Sequence, residues 1–294
     1  MQRQSIIGKF SNPLPRRYHL LHSLFAWFHL MTFVGGVVMI LSDKIAAVSE
    51  IFLIRKERAL PEPVVNEMGS LHAEWVIACA PLISSLGHFV VSSSNAPHLM
   101  ASRIRYVDYA ISSTCMIFTV AVLCGMADFL QLFLLCACQV VLCLLGAVIG
   151  AIESSAGKWG VFVSSSVLHM AVWAALALVL YLNVRDEVLW VYALVGMLFA
   201  LFTSFALVEL AHLLKWITEV GADNGFLVLS AVAKNFLQWT LLRGVASMDE
   251  TDADSENLRV FGIVVGSLTI LSAVLSFLIY RIGKLYPVEP SKGS

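Results

Sequence analysis

Charge is what this chain has least of. Asp, Glu, Lys and Arg make up 13% of its 294 residues, against 59% hydrophobic, and a soluble domain ordinarily carries about twice that charged share. An ordinary water-soluble domain is excluded. A net charge of −1 gives no support for nucleic-acid binding. The six cysteines (Cys79, Cys115, Cys124, Cys136, Cys138 and Cys143) all fall in apolar stretches, and none has the spacing of a metal site in a loop. They read as small hydrophobes without disulfides, and no metal is expected. Cys136 and Cys138 leave a redox pair open, with packing the stronger reading. No internal repeat is found, and the chain reads as a non-enzyme. The polar, basic start and the full length of the first apolar run argue against a cleavable signal peptide.

What the chain has instead is long apolar runs. Eight are long enough to cross a bilayer: 18–42, 74–94, 97–126, 129–152, 160–183, 188–214, 223–246 and 258–282. The expected architecture is an all-α membrane protein: a short segment 1–17, a seven-span bundle over 18–246, an acidic connector 247–257, an eighth span 258–282 and a tail 283–294. Most breaks are short. The exception is 43–73, about thirty residues with charges and a Pro-Glu-Pro, too long for a bare turn and expected to carry structure such as a hairpin. With the N-terminus in the cytoplasm, lysines and arginines divide eleven inside to seven outside, four of the seven lying in that one loop. Both termini are then cytoplasmic and 43–73 is extracellular.

Two charges break the apolar interior. Lys234, in LSAVAKNFLQW (229–239), is the only lysine within any span. A lysine at bilayer depth costs from about 3 to about 17 kcal/mol, depending on the reference state. Asp108 lies in the third span. Counted from the cytoplasmic ends of their spans, each is eleven residues in, about 16 Å at the helical rise, so the two fall in one layer. His29 (about 16 Å), Ser84 (about 15 Å) and His169 (about 14 Å) fall near that layer, with His88 nearer 9 Å. Ser112 and Cys115 follow Asp108 at i+4 and i+7 on one face, and Ser230 precedes Lys234 by one turn. A simple interhelical clamp remains open. So does a chemical role, since a lysine in a dry pocket can form a Schiff base.

A lysine in the seventh span, an acid in the third and a cytoplasmic N-terminus together resemble heliorhodopsins, the inverted retinal proteins. LSAVAKNFLQW (229–239) resembles that family's Schiff-base segment and RYVDYAISST (105–114) its counterion segment. SSLGHF (84–89) resembles its second-helix Ser-x-x-x-His, and FHLMTF (28–33), less closely, its first-helix histidine region. The resemblance covers roughly 18–245. It implies a rhodopsin-like bundle with all-trans retinal on Lys234 as a protonated Schiff base and Asp108 as counterion. Ser230, Ser84, His88 and His29 would form the polar network, with Arg105 a turn before the counterion. Trp173, Trp239 and Phe202 are aromatic walls or ordinary packing. A homodimer in the lipid bilayer is also implied. Three features depart from the family: an aspartate where glutamate is usual, a short connection between spans 2 and 3, and the eighth span.

The expected function is light sensing, read by an unidentified signalling partner. The alternatives are a light-activated proton channel or other ion transporter, and a non-photochemical scaffold held by the Lys–Asp clamp. Glu209 bears on the transport reading. With His212 and Lys215 it would form a cytoplasmic mouth or simply a solvated helix end.

Overall fold

The computed structural model describes residues 16–41, 48–55, 64–93, 98–183 and 189–246. Among them are seven helices: α1 (Arg16–Leu41), α2 (Ala73–Ser93), α3 (His98–Leu123), α4 (Phe129–Ala151), α5 (Ser155–Asn183), α6 (Leu189–Leu213) and α7 (Glu219–Ala246). Two strands, β1 (Val48–Arg55) and β2 (Val64–His72), pair antiparallel from Val48↔His72 to Arg55↔Val64, with a register shift at Ile51/Phe52. This hairpin occupies the long loop and approaches α4. The eighth span expected at 258–282, the connector 247–257 and the tail 283–294 lie outside the described residues, as do residues 1–15.

The helices follow the hydropathy runs, with two starting a turn or more earlier than their apolar cores. α5 begins at Ser155 rather than 160, and α7 at Glu219 rather than 223. Polar first turns are silent in a hydropathy profile, yet Thr218 Oγ1 accepts from Gly221 N at 3.1 Å and Glu219 in the first turn suits a helix start. Six of the seven are long and apolar enough to span a bilayer, which makes this an integral, multi-pass membrane protein. α7 falls short of that measure because of its polar residues, Lys234, Asn235 and Gln238 among them, and these point inward: Ser230 through Gln238 are all buried.

The arrangement is inside-out relative to a soluble protein. On α1, Leu20, Leu24, Trp27, Met31, Val34 and Val38 recur at helical spacing and are exposed, while His22, His29 and Thr32 on the opposite face are buried. In a bilayer the exposed apolar stripe meets lipid, and the polar side chains can only be satisfied by one another. Successive helices pack as neighbours, α7 closes back on α1, and α3 reaches α5 and α7 across the middle. The main apolar cluster, which includes Met116, Leu176, Leu198 and Phe236, fills the half of the bundle that α3 shares with α4 to α7.

Small residues let the backbones approach. Ser85 Oγ donates to Ala26 O across α1 and α2 at 2.9 Å. A Cβ on Gly146 would lie 3.0 Å from the Tyr106 ring, and one on Gly35 would lie 2.9 Å from the Trp239 indole. Gly125, at φ +87, turns the chain between α3 and α4 beneath Asn183, whose Nδ2 donates to Gly125 O at 3.3 Å.

Candidate functional site

Lys234 and Asp108 meet in the interior, 3% and 5% exposed, with Nζ 3.3 Å from Oδ2. The contact is long for a charge-assisted bond, and Ser84 stands between them. It accepts from Lys234 Nζ and donates to Asp108 Oδ1 at 2.6 Å. A second hydroxyl, Ser230 Oγ, accepts from Nζ at 2.7 Å. The Ser84 hydroxyl bridges the gap between the two side chains. Tyr109 presents its ring 5.3 Å from Nζ, a further stabiliser of positive charge. The cation is thus held by a carboxylate, two hydroxyls and a ring face contributed by α2, α3 and α7. Ser112 turns its hydroxyl onto the Asp108 carbonyl at 2.6 Å, fixing the backbone rather than the charge.

One side of Lys234 opens on a cavity of about 150 Å³ between α3, α4, α5, α6 and α7. Its walls are largely carbon: Tyr109, Met116, Phe202, Phe205 and Phe226, joined by Ser112, Gln139, Cys143 and His169. Glu209 lines it near the last turn of α6. An apolar ligand with an amine-reactive end suits such a space, because the amine that lines it is that of Lys234.

Two expected wall residues lie elsewhere. Trp239 is 36% exposed and packs on Gly35 of α1, since its position on α7 faces away from the cavity. Trp173 is buried one layer back, its ring 5.5 Å from Phe202 and 5.6 Å from Phe199, so it backs the wall without forming it. His169 lines the cavity from α5, where Nε2 pairs with Thr203 Oγ1 at 3.1 Å. It shares a layer with Lys234 but not a cluster.

His29 and His88 stack, ring centroids 5.5 Å apart, and lie within electrostatic reach of Lys234. His88 Nδ1 also pairs at 3.0 Å with Nδ1 of His22, a residue that sequence reasoning passed over. The signal was there: His22 precedes His29 by seven residues, two helical turns, and so shares its face. Arg105 turns from Asp108 toward Asp223, to which its guanidinium donates, and Tyr18 Oη donates to the same carboxylate at 3.3 Å. Asp223 was also missed, read as the edge of a span. It precedes Lys234 by eleven residues, three turns of α7, which puts both on the inward face. On the other side of Lys234, Thr32 Oγ1 donates to Asn235 Oδ1 at 2.6 Å, and Gln238 Nε2 to Thr32 O at 2.7 Å.

Residues 18–246 match the heliorhodopsin family, which is most of the chain and all seven described spans. The chain belongs to the heliorhodopsin family. Retinal is therefore the cofactor of this heliorhodopsin, and the cavity beside Lys234 is suited to it. No curated protein matches it in sequence. Its fold is similar to that of a light-driven proton pump, LR (Mac), from Leptosphaeria maculans, whose crystal structure superposes with a TM-score of 0.61 at 16% identity. The similarity covers 79% of this chain and 97% of that one. At that identity the likeness is one of fold alone.

Proposed function

We propose that this heliorhodopsin is a light sensor that carries all-trans retinal on Lys234, with Asp108 as the counterion. The observation that carries the reading is Lys234 Nζ itself: the one buried lysine among the described residues, lining an aromatic cavity and ringed by an acid and two hydroxyls. Retinal, held by Lys234, would supply a light-absorbing group whose change of shape would disturb the hydrogen bonding at Nζ. Every other part belongs to the chain. Asp108 balances the charge at Nζ, Ser84 and Ser230 fix its direction, and the apolar walls keep water out so that the pairing stays strong. His29 and His88, within electrostatic reach of Lys234, are the candidate acceptors of the proton at Nζ. Expression with all-trans retinal tests the reading: a visible band must form, and hydroxylamine under illumination must bleach it. A colourless product would favour the scaffold alternative, a Lys–Asp clamp with no photochemistry.

The distribution of titratable groups favours sensing over pumping. Beyond Lys234 on the side of His88 come His22, Asp223 and Arg105. On the opposite side the neighbouring groups are Thr32, Asn235 and Gln238, which do not titrate. The buried acids farther along are Glu74, ten residues from Ser84 on α2 and about 15 Å away, and Asp128, beyond the end of α3 at the start of α4. A pump needs release and uptake routes on both sides of the lysine. Voltage-clamped cells are expected to show no outward photocurrent at zero driving force, and a steady one would overturn the sensor reading. The channel alternative draws its support from Glu209, which lines the cavity near the end of α6. A photocurrent that reverses with the proton gradient and is lost in Glu209→Gln would establish it.

The same reading places both termini in the cytoplasm, on the eleven-to-seven division of basic residues. A tag before Gln2 is expected to be hidden from antibody in intact cells and one within 248–257 to be accessible. The reverse staining would invert the topology. A sensor also needs a signalling partner, here on the cytoplasmic face, and the homodimer implied by the family resemblance would set two such faces side by side.

A further inference from the structure

The C-terminal half of α7 is tied to α1 directly beside the lysine. Asn235, Gln238 and Trp239 follow Lys234 by one, four and five residues, and at 3.6 residues per turn they fall within an arc of about 100°. That arc meets α1. Asn235 Oδ1 accepts from Thr32 Oγ1 at 2.6 Å, and Gln238 Nε2 donates to Thr32 O at 2.7 Å. The indole of Trp239 comes so close to Gly35 that a Cβ there would lie 2.9 Å from it. Thr32, Asn235 and Gln238 are all buried.

A threonine hydroxyl carries one hydrogen to donate. Ser112, Thr114 and Thr119 give theirs to the carbonyl one turn back on their own helix. Thr32 has that choice too, with Phe28 O at 3.0 Å, yet its shorter contact crosses to α7. Asn235 is oriented to receive it: Nδ2 donates to Ala231 O at 2.8 Å, which turns Oδ1 toward α1. Thr32 is thus gripped by both its hydroxyl and its carbonyl. Two contacts on one residue fix the rotation of α7 as well as its height, which a single contact would not. On the other side of Lys234, Asp223 ties α7 to α3 and α1 from eleven residues away.

Rotation matters because the lysine is long. A turn of α7 by about 20° moves a Cα on its cylinder of about 2.3 Å radius by only about 0.8 Å, but swings Nζ several times as far. Ser230 is on α7 and would move with the lysine. Ser84 and Asp108 are on α2 and α3, and theirs are the contacts that such a swing would break.

We propose that Thr32 and Asn235 are positioning residues for Lys234: their bond sets the rotation of α7 against α1 and so aims Nζ at Ser84 and Asp108. The optical consequence rests on the photoreceptor reading, whereas the aim of Nζ belongs to the chain alone.

The test uses full-length protein in lipid with lysine labelled by ¹⁵N at Nζ, read by solid-state NMR, the Lys234 signal being the one absent from Lys234→Ala. Without retinal, Thr32→Val keeps the side-chain volume and removes the hydroxyl, so it should shift and broaden that signal. Thr32→Ser should restore it. Asn235→Leu should act like Thr32→Val, and the double variant should add little to either alone, because both remove the same bond. Thr119→Val, which deletes a hydroxyl bonded within α3, should leave the signal in place. With retinal, Thr32→Val should move the visible band to longer wavelength as the acid's hold on Nζ weakens, and Thr32→Ser should return it. A Lys234 signal unmoved in both single variants, a shift that Thr32→Ser does not restore, or the same shift in Thr119→Val would each overturn the proposal. If Thr32→Val fails to fold, Asn235→Leu carries the same test. A colourless protein in which the Lys234 signal still responds to Thr32→Val would sink the photoreceptor reading alone.

Discussion

Lys234→Ala, expressed with all-trans retinal, should be colourless. The substitution removes the one interior amine, and no other lysine approaches the cavity among the described residues. It also strands Asp108. Breaking a buried pair by removing one partner costs about 3–5 kcal/mol, because the remaining charge is left without its counter-charge. Ser84 still donates to the carboxylate at 2.6 Å, which offsets part of that loss. A colourless band could therefore be mistaken for misfolding, and a second variant separates the two. Lys234→Ala combined with Asp108→Asn carries no uncompensated charge, so it should recover thermal stability toward wild type while remaining colourless. The measurement is a visible spectrum before and after hydroxylamine, with melting temperature alongside. A visible, hydroxylamine-sensitive pigment in either variant would sink the assignment of Lys234.

Asp108→Asn should move the absorption band of the pigment, and by a large amount. A full negative charge 3.3 Å from Nζ favours positive charge at the nitrogen end of the chromophore. Removing it lets that charge spread along the polyene, which shifts the band to longer wavelength. If Ser84, Ser230 and Tyr109 cannot hold the proton unaided, it is lost and the band falls to the near ultraviolet. The second outcome is the more drastic, and the dryness of the site favours it. Either result supports Asp108 as the counterion. An unchanged visible spectrum would mean that another acid holds the charge, with Glu209 the first to test. Asp108→Glu is informative in a different way. The added methylene occupies the space that Ser84 bridges, so a direct acid–amine contact should replace the hydroxyl relay and Ser84→Ala should lose most of its effect on the band in that background.

The sequence by itself determined a good deal here. Apolar runs placed all seven described helices to within a turn or so at each end, because the bilayer imposes one length and demands that every backbone group be satisfied within its own span. The scarcity of charge made Lys234 and Asp108 stand out, and their common depth foretold the pair. Depth along a helix is a one-dimensional quantity, countable at 1.5 Å per residue.

What helical counting cannot supply is the direction a face takes once the bundle closes. Trp239 and Phe202 looked alike as aromatic walls. Packing turned Phe202 into the cavity and laid Trp239 on Gly35 at the periphery. His169 shared the lysine's layer but stands across the cavity from its cluster, since equal depth on different helices says nothing of lateral distance. Asp223 was hidden for the opposite reason: at the mouth of a span an acid reads as solvated, and only the approach of Arg105 and Tyr18 from α3 and α1 shows it buried and shared. His22 became part of the site through one contact with α2. Along a helix, neighbours follow from the covalent chain and a fixed period. Between helices they depend on how side chains of seven surfaces interlock at once, and that was decided by the tertiary structure alone.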